Sequence, residues 1–153
     1  MSTPLNSSYY YDRGLFPLTI EWGPQGVVAV QFQRSRNCVS FKNNKKLKEQ
    51  LNGYFSGRLR RFTVTLDYNR ASFSGRVMTA LLKIPYGRTI SYGRLAALAG
   101  FPGAARAVGT VMAKNPIPIF IPCHRVVLAN GKLGRYGGGV AVKRLLLGLE
   151  GAL

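Results

Sequence analysis

Cys123 and His124 stand side by side in the pentapeptide Pro122-Cys123-His124-Arg125-Val126. His124 is the only histidine of the chain, and Cys123 is one of two cysteines. A thiol next to an imidazole and a guanidinium has what a sulfur nucleophile requires: a base, and positive charge that favours the thiolate. A buried structural cysteine beside a satisfied histidine fits the same two letters. Sequence neighbours rarely face each other, so a proton passing between them needs a turn or a bridging water.

Charge narrows the partner class. Twenty-two lysines and arginines face five acids, a formal net charge of +17. Self-repulsion on that scale opposes a compact monomer, and a polyanionic partner offsets it, so nucleic acid is the expected partner. The acids are Asp12, Glu21, Glu49, Asp67 and Glu150, so from Tyr68 onward Glu150 alone faces twelve basic residues. No apolar run approaches a membrane span. The opening stretch MSTPLNSSYYYDRG lacks a basic segment followed by an apolar one, so no secretory signal is expected. Two cysteines make no disulfide framework, and a reducing, cytoplasmic compartment is the simpler expectation. One histidine and two separated cysteines cannot furnish a Cys/His zinc tetrad.

The elements that must position Cys123 follow from pattern. Residues 1–67 suggest a small α/β lobe. Leu15–Trp22 and Gly26–Gln33 are β-prone runs around the turn signal Gly23-Pro24-Gln25-Gly26. Asn44–Phe55 has Leu47, Leu51 and Tyr54/Phe55 at helical spacing, with Asn43 or Asn44 as cap and Gly57 past its end. Phe62–Leu66 alternates and suggests a further strand. Cys38 carries no evident chemistry. Residues 68–153 suggest a second, mostly helical lobe entered through a linker at 68–76. Ser74 is the expected cap of a helix facing inward through Val77, Leu81 and Ile84. Ser91 caps the next helix, with Leu95, Leu98 and Ala99 as its apolar face; Gly100-Phe101-Pro102-Gly103 breaks it. Ala104–Lys114 follows, with Val108, Val111 and Met112 facing in.

Two short helices around a glycine turn make a helix-turn-helix pattern, here of winged-helix type, and the overall class is α+β. The second helix carries Arg106 near its start, many small residues and no acid, as suits a helix lying in a groove of DNA. Ile117–Ile121 contains Pro118 and follows Pro116, which excludes a central strand and suggests a rigid connector that delivers Cys123. The Gly131–Gly139 loop offers backbone N–H groups to a ligand, and Val140–Leu149 closes the chain as a helix with Leu145, Leu146 and Leu149 apolar.

Ser91-Tyr92-Gly93, Arg106-Ala107-Val108-Gly109, Asn115-Pro116, Pro122-Cys123-His124-Arg125-Val126 and the Gly134–Gly139 loop together resemble the O6-alkylguanine-DNA alkyltransferases. The resemblance runs in order over about residues 74–151; the N-terminal lobe is similar only in size and general character. It implies base flipping of O6-alkylguanine, with O4-alkylthymine as a second substrate, and irreversible single-turnover transfer of the alkyl group to Cys123. By matching positions, His124 is the base acting through a water, Glu150 orients and charges it, and Tyr92 donates a proton near the flipped base. Arg106 fills the vacated stack. Ser91, Tyr92, Arg94, Ala105, Arg106 and Lys114 are implied at the DNA. Met112, Asn115, Val126, Tyr136, Gly137 and Gly138 are implied around the base. No cofactor and no metal are implied, and the expected partner is double-stranded DNA carrying O6-alkylguanine. A monomer, able to assemble cooperatively on DNA, is expected in the cytoplasm, at the nucleoid or, in a eukaryote, in the nucleus.

The residues support these roles on their own terms. A thiolate is a soft nucleophile suited to an alkyl carbon, and the imidazolium formed on ionisation has one counter-charge available in its lobe, Glu150. The leaving guanine is anionic unless its oxygen is hydrogen-bonded or protonated, which tyrosine hydroxyls and loop N–H groups can do. Gly137 stands where relatives often have serine. The non-catalytic alkyltransferase-like class lacks an acceptor cysteine, which is present here. A helix-turn-helix protein with an incidental Cys-His pair and a cysteine hydrolase are the other readings; the latter would bring its histidine from a distant segment.

Overall fold

The computed structural model describes residues 6–153, so the first five residues, which belong to the signal-peptide reading, lie outside it. The chain divides after Asp67 into two compact units, in an α+β architecture.

The first unit is built on a sheet of four strands, β1 (Ser7–Tyr11), β2 (Leu18–Gly23), β3 (Gly26–Gln31) and β4 (Cys38–Val39), in the order β3-β2-β1-β4. β2 and β3 form the expected hairpin. Gly26 sits at φ +131°, and a Cβ there would lie 2.2 Å from Thr65 O, so glycine is obligatory. β1 was hidden in sequence because Ser-Ser-Tyr-Tyr-Tyr shows no apolar alternation, although Tyr9 and Tyr11 turn to the core and Tyr10 does not. Helix α1 (Lys45–Phe55) starts at Asn44, whose side chain accepts from Leu47 N at 3.3 Å. Leu47, Leu51, Tyr54 and Phe55 are buried, each contributing on the order of 1.5–3 kcal/mol of apolar transfer. Phe62–Leu66 is not a strand. Gln50 Oε1 accepts from Thr63 N at 2.8 Å and Val64 N at 3.3 Å, so a side chain takes the amides a ladder would use. Only a single bridge, Val27 to Leu66, remains.

The second unit contains α2 (Phe73–Leu81), α3 (Tyr92–Leu98), α4 (Ala105–Ala113), α5 (Val140–Leu149) and a two-residue parallel pair, β5 (Ile90–Ser91) with β6 (Val126–Val127). Its core runs through Val77, Leu81, Leu95, Val108, Ile117, Ile121, Leu146 and Leu147. α2 is capped by Ser72 rather than Ser74: the Ser72 hydroxyl accepts from Gly75 N at 3.0 Å. The helix is pulled early because Gly75 lies against Asn69, so close that a Cβ would meet Asn69 O at 1.8 Å. Ile84 falls beyond its end. Ser91 caps α3 as expected, accepting from Arg94 N at 3.3 Å. Two inward faces shift by a residue or two. In α3 Leu95 and Ala96 are buried while Leu98 is 48% exposed. In α5 Lys143, Leu146 and Leu147 are buried while Leu145 is 46% exposed. In α4, Val108, Val111 and Met112 face in as expected.

Candidate active site

Asn115 ends the α4 segment and organises the connector that follows. Its side chain donates to Ile121 O at 3.0 Å and accepts from Ile117 N at 3.0 Å, clasping both ends of the buried run Ile117–Ile121. Ile119 inside that clasp has φ +75°, unusual for a β-branched residue and costing roughly 1–3 kcal/mol of local strain. A tight 3-10 turn, Cys123–Arg125, follows, and β6 continues into the pair with β5. Within the turn Cys123 and His124 are both buried, each less than a tenth exposed.

His124 Nε2 lies 2.8 Å from Glu150 Oε1, with both side chains fully buried. Arg125, which the sequence suggested as a charge for the thiol, is spent elsewhere. Its Nη2 donates to Glu150 Oε1 at 2.8 Å, its Nε to Oε2 at 2.9 Å, and its Nη1 to Ile84 O at 2.7 Å. Gly87 N donates to Glu150 Oε2 at 3.4 Å, and a Cβ on Gly87 would press within 2.9 Å of Glu150 O. The Pro85–Gly87 turn thus seats the carboxylate. Burial alone would raise the Glu150 pKa, but hydrogen bonds and charge from His124 and Arg125 outweigh it and hold the carboxyl well below the usual range.

That ionisation fixes the imidazole. An ionised carboxylate accepts only, so His124 Nε2 carries a hydrogen and donates it. Burial lowers the His124 pKa against the opposing pull of Glu150, which leaves the ring neutral and Nδ1 an acceptor. Nδ1 is buried and has no hydrogen-bond partner among the described residues. The thiol is also uncharged at rest. Burial raises the Cys123 pKa, with the polar side chains of Asn115 and Tyr136 and the charge of Lys143 working against it. The structure therefore holds a protonated thiol and a neutral base, not the standing thiolate that adjacent positive charge suggested.

Other site candidates fall into two groups. Tyr92 opens α3, half-buried, its ring beside Gly109 and its hydroxyl beside Gly134; burial, then Cys123, raises its pKa. Tyr136 has a buried hydroxyl, and its pKa is raised well above the usual value by burial and by Cys123. Met112 and Val126 are buried, whereas Gly137 has open space where a Cβ would stand. Of the residues expected at the DNA, Arg106 is the second residue of α4 and is exposed, as are Arg94 and Lys114; Ala105 is half-exposed, and the Ser91 hydroxyl is engaged as the α3 cap. Lys143 is the site residue that the sequence reading missed, and Arg125 is the one it placed on the wrong partner, the thiol instead of Glu150. Lys143 left a signal, since it shares the inward face of α5 with Leu146 and Leu147.

Among the described residues no group of three or more His, Cys, Asp or Glu is placed to hold a metal, and no helix is long and apolar enough to cross a membrane.

Residues 72–152 match the family model described as the DNA binding domain of 6-O-methylguanine DNA methyltransferase. A methylated-DNA–protein-cysteine methyltransferase of Mycobacterium tuberculosis is 57% identical over 102 residues, 67% of this chain. The chain spans 62% of that relative's length. A Methanosarcina acetivorans protein of the same name is 36% identical across 94% of this chain and 99% of its own. The crystal structure of the Mycobacterium tuberculosis protein OGT in complex with DNA superposes with a TM-score of 0.83 at 42% identity, covering 95% of this chain and 93% of that one.

Proposed function

The chain belongs to the 6-O-methylguanine DNA methyltransferase family, and on that premise we propose that it repairs DNA directly, moving an alkyl group from guanine O6, and from thymine O4, to Cys123 Sγ. The observation that supports this most is geometric: Cys123 and His124 are both buried in one 3-10 turn, and His124 Nε2 is committed to Glu150 at 2.8 Å, with burial favouring the protonated thiol and the neutral ring. Only Nδ1 is left to take a proton, and a water reaching it carries that proton from the thiol. Sulfur then bonds to the alkyl carbon as the carbon–O6 bond breaks. The guanine oxygen or its ring nitrogen is neutralised by a hydrogen bond or proton from Tyr92, whose raised pKa keeps its hydroxyl protonated. The imidazolium is stabilised by Glu150. The product is a thioether, which nothing in this cycle reverses, so each molecule acts once.

The partner is duplex DNA, held by basic surface. Exposed Arg106, near the start of α4, is the side chain suited to fill the stack when the base is turned out. Unstacking costs on the order of a few kcal/mol, and an inserted guanidinium offsets part of it. The test is direct. Incubation with an O6-methylguanine duplex is expected to add one methyl group to the peptide holding Cys123. Intact DNA binding with no mass change on that peptide would refute the transfer.

A further inference from the structure

Lys143 is fully buried although it carries an ammonium group. No carboxylate pairs with it among the described residues. Instead its three N–H donors meet three backbone carbonyls: Val126 O at 2.7 Å, Leu133 O, and Arg135 O at 3.3 Å. The acceptors belong to two separate segments. Val126 directly follows the turn that holds Cys123 and His124, while Leu133 and Arg135 flank Gly134 in the glycine-rich loop. Tyr136, the next residue, has a buried hydroxyl that interacts electrostatically with the Cys123 thiol. A loop with glycines at 131, 134, 137, 138 and 139 has little side-chain packing to fix it, and three of those glycines adopt positive φ.

We propose that Lys143 is a positioning residue that fastens the Gly131–Gly139 loop to the strand leaving Cys123, and with it the placement of Tyr136 beside the site. This rests on the alkyl-transfer reading of the site. A buried apolar residue at 143 would fill the same space and tie nothing, and the ammonium also places positive charge in the field of the thiol: it lowers the pKa of Cys123 while Arg125 is bound to Glu150. The lysine therefore acts on the sulfur twice, through the loop and through its field.

The test uses the full chain and Lys143→Met. Amide hydrogen exchange is compared over residues 131–139, Cys123 alkylation by iodoacetamide is followed against pH at its own peptide, and methyl transfer is timed in a single turnover. The expected result is faster exchange confined to the loop and an alkylation profile displaced to higher pH. Transfer should be slower by about tenfold, the scale of one lost charge-assisted hydrogen bond, with duplex affinity within about twofold of the parent. Loop exchange and an alkylation profile identical to the parent would overturn the proposal. Should the variant fail to fold, the parent decides: its loop amides, Gly139 N bonded to Tyr136 O among them, must be protected without DNA, and exchange at the rate of an unstructured chain would overturn it. A parent that accepts no methyl group would sink the repair reading alone, since exchange and iodoacetamide still report on Lys143.

Discussion

Glu150 Oε1 is shared between His124 Nε2 and Arg125 Nη2, each at 2.8 Å, so one buried carboxylate serves the base and a permanent cation together. Arg125 keeps Glu150 ionised whatever the state of the histidine, and the ionised carboxylate in turn dictates which imidazole nitrogen carries hydrogen. The arginine of the pentapeptide therefore acts on the base from behind, not on the thiol.

Glu150→Gln tests that chain of dependence. A neutral amide has no charge to pair with the guanidinium and one acceptor oxygen where Arg125 uses two, and its NH2 can be presented to His124 in a way that favours the wrong tautomer. Breaking a buried pair from one side costs about 3–5 kcal/mol, so the urea midpoint should fall accordingly. Single-turnover methyl transfer should drop by about a hundredfold or more, within the range for losing an oriented base. An unchanged rate would remove Glu150 from the mechanism.

Acid should destabilise the C-terminal unit through two groups of the same sign. Glu150 has a folded pKa depressed below its unfolded value of about 4.3, so its contribution is complete above that pH and is lost as pH falls toward the folded value. His124 is also depressed, buried as the neutral ring; the unfolded chain binds the proton first, and stability falls as pH drops below about 6.5. Denaturant midpoints measured from pH 8 to 3 should decline first near the histidine step and again near the carboxyl step. Glu150→Gln should lose the second decline; a flat curve down to pH 4 would contradict the histidine assignment, and no decline from pH 4 to 3 would contradict the carboxyl one.

Gly137→Ser should be tolerated. Nothing stands within 4 Å of a Cβ there, and its φ is not in the left-handed range. Melting temperature and transfer rate should stay close to the parent, within the roughly 0.5 kcal/mol typical of surface substitutions. Gly75→Ala is the contrasting case, because its Cβ would sit 1.8 Å from Asn69 O and the backbone must move. A loss of about 2 kcal/mol or more is expected on unfolding, and an unperturbed midpoint would mean the α2 entrance is looser than its contacts imply.

What the sequence disclosed and withheld follows from the range of the forces involved. The Ser91 cap, the inward face of α4 and the hairpin around Gly23–Gly26 are local, and short-range pattern carries them. β4 and β6 are two residues long and exist through partners far along the chain, so no periodicity marks them. Phe62–Leu66 alternates like a strand but loses its amides to Gln50, a side chain on the preceding helix. Glu150 was legible because it is the sole acid of its unit. The ionisation of the site was not: adjacent letters suggested a thiolate near Arg125, and only burial together with the commitment of Arg125 to Glu150 reverses that.

Arg106→Ala separates stack filling from general charge. The side chain is exposed near the start of α4, and no hydrogen bond or ion pair holds it among the described residues, so stability should change by less than about 0.5 kcal/mol. If the guanidinium only neutralises a phosphate, duplex and single-stranded O6-methylguanine substrates lose rate and affinity alike, and the slope of log affinity against log salt falls by about one. If it replaces the flipped base, repair in the duplex slows by about tenfold or more while repair in a single strand, which has no stack to refill, barely changes. Single-turnover rates on the two substrates at matched salt decide between them, and the position of Arg106 at the helix start predicts the second outcome.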